Sequence, residues 1–300
     1  MKRFRIYQVD AFTTERFRGN PAGVVLNADG LTESQMQALA RELNNSETAY
    51  VLSPTAADHE VWIRFFTPTT EVPSCGHATI AAHYVRAREN GLPACTVLQK
   101  IGVGILPVEI IPVGNDYKVV MTQGAVEFSQ TLSGDRAAAI TGALGLSAAD
   151  LDARCPIQIV STGHSKVLIG IRERSKLNAL CPDLTRLAAI SREIRCNGYY
   201  VFTLTTKGDD VLAHGRMFAP GIGIPEDPVT GNANGPLGAF LVKHNLVASS
   251  GDTFTFKAQQ GEAIGRTGTV EVTVAVREGN PERVQVAGRA VIVFQTDVEL

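Results

Sequence analysis

A chain of 300 residues exceeds one typical hydrophobic core, so two domains are expected. Its 44% hydrophobic and 19% charged residues describe a soluble globular protein, and a formal net charge of −2 gives no electrostatic basis for binding nucleic acid or an anionic membrane. No apolar run approaches the roughly 18 residues that cross a bilayer, and the start Lys2-Arg-Phe-Arg-Ile-Tyr7 is charged and strand-like, not a secretory leader, so a cytoplasmic protein is expected.

Taken in order, residues 4–9 alternate as a strand, 10–21 read as a loop closing on Gly19-Asn20-Pro21, and 22–26 form a short apolar strand. A helix opens at Thr32-Glu33 and runs to Leu43, with Thr32 as N-cap and Gln35 as its reciprocal partner. Met36, Leu39, Ala40 and Leu43 keep helical spacing on its buried side. Asn44-Asn45-Ser46 ends that helix, and strands follow at 47–52 and 60–66. A second helix, from Ala78 to the Asn90-Gly91 stop, is apolar nearly all round in its first two turns, so other elements must wrap it. Residues 233–243 read the same way, ending at His244-Asn245. Between and after these helices lie strands at 96–98, 104–111, 117–122, 157–160, 167–171, 199–205, 254–259, 269–276, 283–288 and 291–295, with helical residues at 135–144. The class is α+β: two pseudo-symmetric domains, each a curved, barrel-like sheet around one central helix. The boundary falls near 123–133, giving residues 1–125, completed by a C-terminal strand at about 288–300, and residues 126–287.

The chain repeats itself. Arg64-Phe-Phe66-Thr-Pro68 precedes Glu71-Val-Pro-Ser-Cys75-Gly-His77-Ala78, and Arg216-Met-Phe218-Ala-Pro220 precedes Glu226-Asp-Pro-Val-Thr230-Gly-Asn232-Ala233. Two ordered runs shared by both halves indicate an internal duplication. Each copy ends in a glycine where a buried helix begins. There the first N–H groups lack helical partners and the helix dipole is positive, so a matched pair of such ends suits an anion or a developing enolate-like charge. The plain alternative is turn geometry alone.

Five cysteines, scattered and without a Cys-x-x-Cys pair, give no disulfide framework or structural zinc pattern, and most are expected as small core side chains. The histidines show no metal-ligand spacing, so no metal is expected. Cys75 in the first copy is matched by Thr230 in the second, and a hydroxyl is too weak an acid to replace a second thiol. The counterpart of Ser46-Glu47-Thr-Ala-Tyr-Val is Asn197-Gly198-Tyr-Tyr-Val, which lacks the carboxylate. A single catalytic base need not recur, whereas a strictly structural residue should.

Gly19-Asn-Pro-Ala-Gly-Val, Ser46-Glu-Thr-Ala, the Glu71–Thr79 run and the Glu226–Ala233 run together resemble the PhzF family of isomerases related to phenazine biosynthesis, nearest its YddE-like branch. The resemblance covers the chain from residue 4 to the end. It implies the diaminopimelate-epimerase-like fold with the active site between the domains, a homodimer, and neither metal nor organic cofactor. It places the general base on Glu47 and assisting roles on His77 and Asp227. Substrate contacts fall to Asn20, Cys75, Gly76, Thr230, Gly231 and Asn232, the last standing where many relatives carry serine. The implied activity is isomerisation of a small carboxylated metabolite by one-base proton abstraction and return; in the phenazine enzyme the substrate is a dihydro-hydroxyanthranilate. An amino-acid epimerase of the same fold and a catalytically silent anion-binding protein are the alternatives.

Overall fold

The structure, a computed structural model, describes residues 2–205, 210–248 and 251–300. It divides into two compact units, Met1–Thr122 with Ala287–Leu300, and Gln123–Val286.

The first unit contains β1 (Arg3–Ala11), β2 (Asn20–Leu26), α1 (Glu33–Leu43), β3 (Thr48–Leu52), β4 (Val61–Phe66), β5 (Glu71–Val72), α2 (Gly76–Asn90), β6 (Cys95–Ile101), β7 (Gly104–Val113) and β8 (Asp116–Thr122). The second contains β9 (Glu127–Thr131), α3 (Gly134–Ala143), β10 (Gln158–Ser161), β11 (Lys166–Gly170), α4 (Arg174–Asn178), α5 (Leu184–Ile194), β12 (Tyr199–Leu204), β13 (Ala213–Ala219), β14 (Ile224–Asp227), α6 (Gly231–Lys243), β15 (Thr253–Gln260) and β16 (Gly268–Arg277). β17 (Asn280–Gly288) crosses the boundary, and β18 (Ala290–Glu299) belongs to the first unit.

Pairing gives the first unit the order β18-β1-β2-β3-β4-β6-β7-β8, antiparallel except at β2–β3 and β4–β6. The second runs β9-β10-β11-β12-β13-β15-β16, antiparallel except at β11–β12 and β13–β15. The parallel steps fall at corresponding places, and in both a short strand, β5 or β14, folds back on its neighbour. The duplicated motif is therefore the visible part of a duplicated topology.

Each sheet curls because its central helix is apolar on every side. α2 touches β1, β2, β3, β7, β8 and β18, strands from both ends of its sheet, and α6 touches β10, β11, β15 and β16. Ile80, Ala81, Ala82, Val85, Leu237, Phe240 and Leu241 are fully buried; each larger apolar side chain so placed stabilises by roughly 1.5–3 kcal/mol. The outer sheet faces are covered as well. Met36, Leu39 and Ala40 of α1 pack on Phe4, Ile6, Val25, Tyr50 and Phe66. Ile140 of α3 and Leu187 and Ile190 of α5 pack on Val167, Ile169, Tyr199 and Val201. Strands covered on both faces read as continuous apolar runs instead of alternating.

The expected capping box is present: Gln35 N–H donates to Thr32 Oγ1 at 3.3 Å, and Thr32 N–H to Gln35 Oε1 at 2.9 Å. Several expectations need correction. β1 continues to Ala11 and β2 begins at Asn20, so the connecting loop is shorter than the Gly-Asn-Pro punctuation implies. β5, β9, α4, α5, β13 and β14 stand where no element was expected. Cys75, Cys155 and Cys196 are buried as expected, while Cys181 is exposed.

Candidate active site

In the first unit the site begins with backbone. Asn44 takes a left-handed conformation, φ 52°, and ends α1. The chain then turns through Ser46 and Glu47 into β3, where Glu47 O accepts from Gly23 N–H at 3.2 Å and is thereby fixed to the β2–β3 ladder. Opposite stands the start of α2. Its N-cap residue, Cys75, is extended at φ −149° and offers no side-chain cap. The carbonyl of Cys75 is well held, accepting from Thr79 N–H at 3.1 Å and from Thr79 Oγ1 at 2.7 Å. A Cβ added at Gly76 would meet nothing within 4 Å, so neither packing nor backbone conformation within the chain demands glycine there.

His77, in the first turn of α2, links the ionisable groups. Its Nε2 lies 3.4 Å from Glu47 Oε2 and 3.2 Å from Ser46 Oγ, while its Nδ1 lies 3.4 Å from Cys75 Sγ. The side chains of His77 and Glu47 are 8% and 15% exposed. A neutral imidazole donates at one nitrogen and accepts at the other. The ring can therefore take a proton from the carboxylate side and release one on the thiol side, or the reverse.

Folding also brings together what spacing along the chain did not reveal, a trio of potential metal ligands: Glu47, Cys75 and His77, with ligand atoms within 4.8 Å of one another. The trio fits a metal poorly. Carboxylate and thiol face opposite nitrogens of one ring, so an ion reaching both would use a single ring nitrogen, short of the four ligands that close a structural zinc site.

In the second unit Asp227 ends β14, 8% exposed and paired across to Met217. Thr230, the N-cap residue of α6, donates its hydroxyl to Asp227 Oδ2. Gln260, from the end of β15, ties the corner. Its Nε2 donates to Asp227 O at 2.7 Å and to Thr230 Oγ1 at 3.1 Å, and its Oε1 accepts from Thr230 N–H and Asn234 Nδ2 at 3.1 Å each. Gln123 Nε2 donates to Gly231 O at 3.0 Å and Asn232 Oδ1 at 3.1 Å, while its Oε1 accepts from Thr162 Oγ1 at 2.7 Å. Asn232 is thus already engaged within its own unit.

Of the residues expected from sequence, Glu47, Cys75, Gly76 and His77 come together in the first unit, and Asp227, Thr230, Gly231 and Asn232 in the second. Asn20 is fully buried as the first residue of β2, opposite Ala11. Ser46, Gln123 and Gln260 were missed. Ser46 stood inside a motif already singled out; the two glutamines, one just after β8 and one at the end of β15, lie far from the motif in sequence and carry no local signal.

Comparison with known proteins agrees with this architecture. The family described as PhzC-PhzF, phenazine biosynthesis-like protein, matches residues 9–296. The uncharacterized isomerase YddE of Escherichia coli strain K12 is 50% identical over 293 residues, 98% of this chain and 97% of that one. A trans-2,3-dihydro-3-hydroxyanthranilate isomerase of Pseudomonas aeruginosa is 30% identical over 280 residues, covering 93% and 92%. The crystal structure of a Bacillus anthracis phenazine biosynthesis protein of the PhzF family superposes with TM-score 0.89 at 32% identity, covering 100% of both chains.

Proposed function

The chain belongs to the PhzC-PhzF family of phenazine biosynthesis-like isomerases, and from that premise we propose that it isomerises a small carboxylated metabolite by moving one proton, without a cofactor. The reading rests on one observation: the Glu47 carboxylate, held at the start of β3, faces His77 Nε2 at 3.4 Å, in a position whose duplicate is Gly198. Glu47 removes a proton from carbon beside the substrate carboxylate. His77 keeps the Glu47 carboxylate oriented and accepts the transferred proton in transit. The N–H groups at the start of α2, which carries no side-chain cap, stabilise the enolate-like charge that develops. Asp227, steadied by Thr230 and Gln260, serves the same reaction as substrate contact and proton partner. Thr230 as the donor to Asp227 is poorly suited to act as a second base, which favours one-base chemistry over racemisation.

Incubation in deuterated water with trans-2,3-dihydro-3-hydroxyanthranilate and related carboxylates, followed by proton NMR, tests the reading. Double-bond migration with solvent exchange is expected, and Glu47→Gln should slow it by roughly 10²–10⁴-fold while the fold is kept. Unchanged turnover in that variant removes Glu47 from the mechanism; inversion at an α-carbon replaces isomerase by epimerase. A homodimer is part of the same reading, and light scattering should return twice the chain mass of 32.1 kDa.

A further inference from the structure

The side chain that begins each buried helix is turned away from that helix. An N-cap side chain ordinarily accepts from the first free N–H groups, yet neither Cys75 nor Thr230 makes such a bond. In the second half the direction of the Thr230 hydroxyl is fixed. Its oxygen accepts from Gln260 Nε2 at 3.1 Å, and its proton goes to Asp227 Oδ2, since a carboxylate only accepts. The hydroxyl is a donor to the ionisable side chain beside it. Cys75 stands in the matching place, and its Sγ lies 3.4 Å from His77 Nδ1, a hydrogen-bond distance for sulfur.

Which nitrogen of a histidine carries the proton is set by the partners of both. At Nε2 stand Glu47 Oε2 at 3.4 Å and Ser46 Oγ at 3.2 Å. The carboxylate only accepts, so the ring proton that serves Glu47 sits on Nε2. Nδ1 then carries a lone pair. With the His77 side chain only 8% exposed, that acceptor needs a donor from the protein. The Cys75 thiol supplies it. A thiolate there would instead demand the proton on Nδ1, and it would be drawn to the free N–H groups of the helix. Sγ makes no bond to them.

We propose that Cys75 is a positioning residue for His77: its S–H donates to Nδ1 and fixes the neutral ring with the proton on Nε2, aimed at the Glu47 carboxylate. The donors run one way, from thiol to imidazole to carboxylate, and the carboxylate is held in one orientation. The consequence for turnover rests on Glu47 as the base; the direction of the thiol bond does not. Both halves thus use the N-cap side chain as a donor, Thr230 to an acid and Cys75 to an imidazole.

Long-range proton–nitrogen NMR of the intact, nitrogen-15-labelled protein reads the tautomer, with His77 assigned by the loss of its signals in His77→Gln. At neutral pH the wild-type ring should carry its proton on Nε2 and be bare at Nδ1. Cys75→Ala removes the donor and should lower the ratio of Nε2–H to Nδ1–H by roughly threefold to tenfold, the share of one hydrogen bond. Cys75→Ser keeps a donor and should hold the ratio within about twofold of wild type. A wild-type ring protonated at Nδ1, or at both nitrogens, overturns the proposal, and the wild-type spectrum decides alone if Cys75→Ala does not fold. So does a ratio that alanine leaves unmoved, or that serine fails to keep. The tautomer is read without a substrate, so it can fail while Glu47→Gln still slows exchange, and the converse. Once a substrate is in hand, Cys75→Ala should lower kcat with KM little changed and Cys75→Ser should recover it, a pattern that lost packing alone would not give.

Discussion

The two halves, laid on one another residue by residue, separate what the scaffold needs from what the chemistry needs. Arg64 forks onto Glu71 through Nε and Nη2 at 2.7 Å each, and Arg216 onto Glu226 at 2.9 and 2.7 Å. Both guanidinium groups lie over a phenylalanine, Phe66 at 5.1 Å and Phe218 at 4.9 Å. The shared Arg-x-Phe and Glu of the repeated motif are therefore a clamp that fixes the turn leading into each buried helix. Recurrence ends at the candidate catalytic groups and their counterparts. Glu47 matches Gly198, His77 matches Asn232, Cys75 matches Thr230, and buried His83 matches Gly238. What duplicates is geometry; what diverges is proton chemistry.

The clamps share a geometry but not an environment, and breaking them gives the largest expected effect. Arg216 and Glu226 side chains are 8% and 13% exposed, and Arg216 Nη1 also donates to Leu177 O at 3.1 Å and Leu180 O at 2.8 Å. Arg216→Met strands a buried carboxylate and two carbonyls, and should cost about 3–5 kcal/mol. Glu71 is 40% exposed, so Arg64→Met should cost about 1 kcal/mol or less. Urea unfolding of the two variants checks this, and equal losses would mean that burial does not distinguish the clamps.

His83 sharpens the comparison through pH. Its ring donates from Nε2 to Gln99 Oε1 at 3.0 Å and accepts at Nδ1 from Arg86 at 3.1 Å, which requires the neutral form. Burial pushes its pKa down to about 3. A histidine depressed on folding is protonated first in the unfolded chain. Its contribution is complete above the unfolded pKa of about 6.5 and is lost as pH falls toward 3, by up to about 1.4 kcal/mol per pH unit. His83→Gln should flatten that part of the stability profile relative to wild type. The corresponding place in the second half is Gly238, where an added Cβ would meet Val272 at 2.8 Å and Val274 at 2.9 Å, so no such slope originates there.

Legibility in the sequence followed the same division. The Thr32/Gln35 box, the all-round apolar helices and the duplicated order of elements were readable because each is a local pattern. β13, Ala213–Ala219, was harder: every residue in it is buried, including His214 and Arg216, and it shows no alternation. β9 is largely exposed and sits where the chain reads as a connection. α5 could have been found, since Leu184, Leu187, Ile190 and Ile194 keep helical spacing behind the N-cap Asp183. Glu47 and His77 were marked by motif. The bond between Cys75 and His77 was not, because only the fold turns that sulfur toward Nδ1.

The smallest expected effect concerns a feature both halves keep. The N-cap carbonyl of each buried helix accepts twice from the residue four positions on: Cys75 O from Thr79 N–H and Oγ1, and Thr230 O from Asn234 N–H at 3.1 Å and Nδ2 at 2.9 Å. The side-chain bond is an addition to the helical one, so Thr79→Val removes one of two donors and should cost about 0.5 kcal/mol, toward the low end for a hydrogen bond. Asn234 carries more, because its Oδ1 accepts from the buried Tyr200 hydroxyl at 2.6 Å and its Nδ2 also reaches Gln260. Asn234→Leu leaves the buried Tyr200 hydroxyl without its acceptor and should cost about 1–3 kcal/mol. Thermal or urea unfolding ranks the two. Were Thr79→Val the costlier change, the shared carbonyl bond would outweigh the network built around it only in the second half.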